Sequence, residues 1–282
     1  MKKIFFLLSI ISILLSSCKS DDTTKAKHYL HKAELFLKQG ELNAAKLQLD
    51  SVHLLFPRLI PMRQAADTLM YRVRLIEAKR NLQFADSILP YQKHLADSLA
   101  RAFRYEKNAK YEDVGKFTYK TQTNVNATSI YLESYVTETG EMTLTAVYCG
   151  TPIGFSKIRT SVNDLFAETV SAKGDSRTSF SNAGKSWENV SFTDKDINGV
   201  DAFIAHNRAS KIIVTLEGGK HIYSYLLSAG DKEAIGQSYY LAEMLRNVVR
   251  FKKESVKARQ TIAIVCQHLR LNPQEQLPTK YR

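Results

Sequence analysis

The chain has few of the residues that write recognisable chemical signatures. Three cysteines among 282 residues build no disulfide framework, and the spacing of Cys18, Cys149 and Cys266 matches no metal site. Glycine is scarce, at 12 residues, and none belongs to a phosphate-cradling loop. Gly218-Gly219 sits between two alternating segments, not between a strand and a helix. No Gly-x-Ser-x-Gly elbow supplies a nucleophile, and Gly184-Lys185-Ser186-Trp187 reads as the start of a strand with a buried tryptophan. His28 and His31 lie one helical turn apart, but no carboxylate motif completes them, so they read as a solvent-facing pair. His206 and His221 are drawn together by no spacing. No apolar run approaches the roughly 20 residues a bilayer-spanning helix needs. The chain therefore reads as a non-enzyme with no cofactor and no metal.

What the chain does have is concentrated at its start. Lys2 and Lys3 precede a largely apolar run, Ile4 to Leu15, and the small residues Ser16 and Ser17 precede Cys18. A basic start, a short apolar core and small residues before a cut mark a secretory signal, residues 1–17. Leu15-Ser16-Ser17-Cys18 resembles a bacterial lipobox. That resemblance implies a diacylated Cys18 thiol, cleavage before it and acylation (palmitate-type) of the new N-terminus. Several acyl chains anchor firmly where one binds only marginally. Lys19, in place of the Asp that retains many Gram-negative lipoproteins in the inner membrane, points to the outer membrane. Lys19-Ser20-Asp21-Asp22 also resembles the acidic export signal of Bacteroidetes surface lipoproteins, with a plain solvated tether, residues 18–25, as the simpler alternative.

The net charge of +12 is uneven. Residues 115–230 hold 11 basic and 11 acidic side chains, whereas residues 246–282 hold nine basic and two acidic. An exported chain has little occasion to meet nucleic acid, so the basic C-terminal segment points to anionic lipid or envelope polymers, or simply to a solvated helix face.

Apolar spacing divides the rest. Residues 26–114 read as helical, with Gly40 the only glycine. Tyr29, Ala33 and Phe36, then Gly40, Ala45, Leu49, Val52 and Pro57, resemble one tetratricopeptide unit, although Val52 and Lys32 depart from its usual residues. Pro90 is expected to kink or break the following helical run. From Gly115 to residue 230 the period becomes two, which predicts a mostly antiparallel β domain. Strands are expected at Lys116–Lys120, Ile130–Val136, Met142–Cys149, Trp187–Phe192, Lys211–Leu216 and His221–Leu227, with Ile212, Val214 and Leu216 inward and a short helix within Asp196–Asn207. Residues 231–271 read as a closing helix with a break near Ser255–Thr261, and residues 272–282 as a loose tail. The fold class expected is α+β. This layout resembles Bacteroidetes lipoproteins that join an N-terminal helical layer to a β-rich domain and a closing helix. No activity comes with that resemblance.

Asp194-Lys195-Asp196-Ile197-Asn198-Gly199 matches the first half of a calcium loop, but the closing position is Ala205, so a turn with Asp196 capping a short helix is preferred. The chain has 14 Tyr, 13 Phe and one Trp, and Tyr223 with Tyr225 share one strand face, either as core or as a sugar-stacking surface. Cys149 and Cys266 read as buried and unpaired, the latter on a helix face covering the sheet. The leading functional expectation is a non-catalytic outer-membrane or surface lipoprotein that binds an envelope protein partner. A glycan- or lipid-binding lipoprotein, and a hydrolase with an unrecognised site, stay open beside it.

Overall fold

The structure is a computed structural model that describes the backbone of residues 2–122, 130–182, 185–218 and 221–278, with side chains from Asp21 onward. The fold is α+β, as the switch of apolar period predicts. The chain forms two compact units, one of residues 1–87 and 253–282, the other of residues 88–252.

The first unit is helical. It contains α1 (Lys2–Gln39), α2 (Leu42–Leu55), the first part of α3 (Ile60–Ala100), the last part of α5 (Ala229–Leu269), and the short α6 (Pro273–Gln276). Gly40 ends α1 at φ +79, and two backbone bonds close the turn, Gly40 N–H to the Leu37 carbonyl and Glu41 N–H to the Phe36 carbonyl. That 5→2 and 6→1 pair is a Schellman cap, which a glycine adopts without a Cβ clash. Ala33 and Ala45 are both buried there, so α1 and α2 approach closely around Leu49 and Val52. Ala66, Leu69 and Val73 of α3 complete this cluster. Tyr29 and Phe36 of α1 pack against the same cluster.

A second cluster joins Leu75, Ala78 and Leu82 of α3 to Ala258, Ile262, Val265 and Cys266 of α5. Both sets recur at helical spacing. Tyr71 stacks on His268, with centroids 4.2 Å apart and planes 8° apart. Three expectations are corrected here. The face of α5 carrying Cys266 packs on α3 and not on a sheet. The break expected near Ser255–Thr261 is absent, because Ser255 is buried with its hydroxyl on Asp86 Oδ1 (3.2 Å) and Ala258 and Ile262 fill the interface. Pro90 lies inside α3 without ending it, so of the expected kink or break the break is absent. Its missing N–H forfeits one ladder bond, and the long helix tolerates that loss. Within the expected tail, residues 273–276 form α6, which Asn272 caps through its side chain (3.1 Å to Gln274 N); residues 279–282 lie outside the described residues.

The second unit is β-rich. One sheet has the order β1-β2-β3-β4-β8-β7, from β1 (Phe103–Glu106), β2 (Lys116–Tyr119), β3 (Tyr131–Thr137), β4 (Met142–Cys149), β7 (Arg177–Asn182) and β8 (Lys185–Thr193). The other has the order β10-β9-β5-β6, from β5 (Lys157–Val162), β6 (Leu165–Glu168), β9 (Ile213–Gly218) and β10 (His221–Leu226). Every pairing is antiparallel. Helix is therefore replaced by strand at Phe103, earlier than the sequence suggests. Strands β5, β6 and β7 are additional to those expected. Gly218 pairs with His221, and Gly219 of the expected turn, like Gly184, lies outside the described residues.

One core lies between the elements of this unit. Leu132, Leu144 and Phe192 come from the first sheet, Ile158, Val214 and Leu216 from the second, Val200 and Ile204 from α4 (Val200–His206), and Ile235 and Ala242 from α5. Ile212, Val214 and Leu216 are all fully buried, as their alternation predicts. Gly140 closes the β3–β4 hairpin at φ +87, and a Cβ there would meet Arg246 N at 2.6 Å and the Ala242 carbonyl at 2.7 Å. Only glycine satisfies both the backbone angle and the close approach of α5. Arg246 then fastens the turn, donating to the Gly140 carbonyl (3.0 Å) and to Asp194 Oδ1 (3.3 Å).

Candidate binding surfaces

The clearest concavity of the β-rich unit lies at the open edge of the six-stranded sheet, where β7 is the terminal strand. It encloses about 700 Å³ between β7, the start of β8 and the loop 152–154, within the roughly 300–1,000 Å³ of small-molecule sites. The loop is held by Glu188. This carboxylate, itself buried, accepts the Gly154 N–H through both oxygens (3.0 and 2.9 Å) and the Phe155 N–H (3.4 Å). A carboxylate paired with backbone donors is one of the stronger protein hydrogen-bond arrangements, so this wall of the cleft is preset.

Phe180 and Trp187 are direct cross-strand partners. Their rings are nearly parallel, at 7°, with centroids 6.1 Å apart. That separation exceeds the roughly 3.5–4.0 Å of carbon–carbon contact, so neither ring covers the other completely. Phe180 is 48% exposed. The expectation of a buried tryptophan is corrected: Trp187 is half-buried and lines the cleft. Asn189, two residues on and on the same face, also lines it, and its Oδ1 is buried with no hydrogen-bond partner among the described residues. Arg177 pairs with Val190, so its exposed side chain lies on the other face of β7, near Gly154 and without an ion pair among the described residues.

The helical unit presents a different surface. Leu47 and Leu54 lie two turns apart on the outer face of α2, 66% and 79% exposed, and Leu55 and Ile60 are exposed where α2 gives way to α3. Single exposed leucines are ordinary, but four within 14 residues of chain are a concentration.

The other candidates fall as follows. Cys18 lies in the backbone of α1, and its side chain is outside the described part. His28 and His31 are both exposed on α1, and His206 and His221 are exposed on separate elements. Among the described residues no group of three or more metal-ligating side chains comes together. The 194–199 segment is a 3₁₀ turn, Asp194–Ile197, followed by Asn198 and Gly199 at positive φ and then α4. Asp196 is not the cap expected of it: Gly199 occupies the N-cap position and no side chain caps it. Asp194 is engaged by Arg246. Tyr223 and Tyr225 face inward, Tyr223 meeting Tyr148 edge-on at 5.2 Å, so the sugar-stacking alternative does not hold for them. Cys149 and Cys266 are both free thiols. Burial raises the Cys266 thiol above its ordinary value.

Besides Glu188, Asp201 and Asp231 are buried carboxylates of the β-rich unit, and Glu133 is partly withdrawn from water. Burial pushes all three upward, Asp231 to about 6. None of the three lines the cleft. Sequence reasoning missed Phe180, Asn189 and the α2 leucines. The only available signal was the pairing of an alternating segment at 177–182 with Trp187. No model of a known protein family, no curated protein and no solved structure matches this chain. No helix among the described residues is long and apolar enough to cross a membrane.

Proposed function

We propose that the chain is a non-catalytic lipoprotein of the outer membrane or cell surface, anchored through lipid on Cys18 and binding an envelope protein through its helical unit. The observation that carries the binding half is the exposed apolar face of α2, with Leu47 and Leu54 projecting from a rigid hairpin. Apolar area left in water is unfavourable by about 25 cal/mol per Å², and a partner that covers it recovers that energy. The hairpin is fixed by the buried cluster that includes Ala33 and Ala45 and by the Gly40 cap, so the face is presented without further ordering cost. The anchoring half rests on the sequence from Lys2 to Cys18.

The test is site-specific photo-crosslinking in intact cells. A photoreactive residue at position 54 should trap one discrete protein species, and one at exposed Lys93 on α3 should not. Leu47→Ser with Leu54→Ser should abolish the product while leaving the melt of the helical unit within a few degrees. Equal crosslinking from both positions, or a product that survives the double substitution, contradicts the reading.

A further inference from the structure

Among the described residues, four strands end the two sheets, and three of them carry charge: Arg104 and Glu106 in β1, Glu168 in β6 and Arg177 in β7. Charge on an edge strand discourages pairing with another chain. Strand β10 has no Lys, Arg, Asp, Glu or Pro, and its pairing with β9 runs from His221 to Leu226 without a bulge. It therefore lacks the usual edge protections. Its outward face is apolar instead. Ile222 is 68% and Leu226 59% exposed, and Ile213, the β9 partner of Leu226, is 47% exposed.

The hydrogen-bond phase of β10 decides what the edge accepts. Leu227 N–H donates to the Ile212 carbonyl (2.9 Å), which turns the backbone groups of Tyr223 and Tyr225 toward β9. Direction alternates along a strand, so the N–H and C=O groups of Ile222, Ser224 and Leu226 face the open edge. In character those three read the same in both directions: apolar, hydroxyl, apolar. An identical antiparallel strand, related by a twofold axis at Ser224, places Ile222 opposite the Leu226 of a second copy and Ser224 opposite its own equivalent. Every edge-facing N–H and C=O of the three residues then finds a partner in both copies. The same register lines up Ile213, Leu226 and the second copy's Ile222 as one apolar row across the joined sheets, and no like charges meet. We infer that β10 is a homodimerisation edge, through which two copies of the chain join their four-stranded sheets about a twofold axis at Ser224. A six-residue edge covers less than the roughly 1,200 Å² of standard interfaces, so the dimer is weak and concentration-dependent. This edge is separate from the α2 surface and from the Cys18 anchor and depends on neither.

The test is oxidative trapping of the purified full chain in detergent, with two differently tagged preparations mixed. Ser224→Cys puts thiols on the axis, where facing Cα atoms lie about 5.5 Å apart, a span that a disulfide bridges. It should give a mixed-tag dimer whose disulfide joins position 224 to position 224, severalfold above wild type, which carries Cys149 and Cys266. Thr178→Cys, exposed on the β7 edge, should trap no more than wild type. Sedimentation velocity supplies a readout without an added thiol: the wild-type full chain should grow in mass with concentration. Ser224→Lys should weaken this association by about tenfold or more, because like charges then face across the axis. Ile222→Lys and Leu226→Glu should each weaken it, and the two together should restore it, because opposite charges then face each other. All three side chains are exposed, so the variants should melt within a few degrees of wild type. Four results overturn the inference: trapping at 224 no greater than at 178, sedimentation of wild type independent of concentration, a double charge variant no better than its singles, or trapping of position 224 in intact cells to a different protein instead of a second copy.

Discussion

Asp231 gives the sharpest prediction of pH-dependent stability. It lies in the first turn of α5 with its backbone N–H on Ser228 Oγ (3.0 Å), and the residue is buried. Burial is the largest influence on it and pushes it from 3.8 up to about 6, while hydrogen bonds from the Ser228 hydroxyl and the Leu132 N–H pull the other way. The folded chain therefore holds a proton on Asp231 that the unfolded chain has released, between about pH 4 and pH 6. A folded-state value above the unfolded one means that stability falls as pH rises across that window. The cost is absent below the unfolded value and fully present above about pH 6, where a gap of about two pH units corresponds to about 3 kcal/mol. Asp231→Asn keeps the shape and the acceptor but has no charge to desolvate. It should stabilise the β-rich unit at pH 7 by about 1–3 kcal/mol and flatten the pH dependence. Glu133 and Asp201, also raised by burial, add slopes of the same sign, and the half-exposed Glu112, Glu138 and Glu168, lowered by hydrogen bonds, oppose them, so the difference between wild type and variant is the quantity to read. Denaturant unfolding followed by Trp187 fluorescence from pH 4.5 to 7.5 reports on this unit alone. An Asp231→Asn variant with the same pH profile as wild type, or one less stable at pH 7, refutes the argument.

Two other outcomes follow from packing. Leu49 is fully buried between α1, α2 and α3, so Leu49→Ala should destabilise the helical unit by about 2–5 kcal/mol in circular-dichroism melts, and a loss below about 1 kcal/mol would mean that the hairpin is not packed as described. Cys149 and Cys266 are free, so reductant should leave the melt unchanged, and a thiol reagent should label half-exposed Cys149 well before Cys266, which is buried and whose burial suppresses the thiolate.

The sequence-to-structure correspondence is strongest where signals are local. Gly40 at the end of an apolar-periodic run, with Ala45, Leu49 and Val52 after it, specifies a helix hairpin within 30 residues of chain. The alternation of Ile212, Val214 and Leu216 likewise declares their buried face. The failures are tertiary. Phe103 to Glu106 carries no strong strand signal and becomes a strand because Lys116–Tyr119 pairs with it. Strand β6 lies at the sheet edge with Leu165 and Phe166 exposed, so its pattern never reads as a core strand. Helix α5 runs through Ser255 because α3 offers a hydrogen bond and an apolar groove there, which no helix-propensity argument contains. The cleft was illegible for the same reason. It needs Phe180 registered opposite Trp187 and a buried Glu188 reaching back more than 30 residues to Gly154.

The measurement that bears most directly on the central proposal is the mass of the N-terminal peptide of the chain recovered from cell membranes. An anchored lipoprotein should yield a peptide beginning at Cys18 and carrying a diacylglyceryl thioether with an acylated amino group, and Cys18→Ser should leave the membrane fraction. A peptide that retains residues 1–17, or begins at an unmodified Cys18, would contradict the anchor and with it the envelope role built upon it.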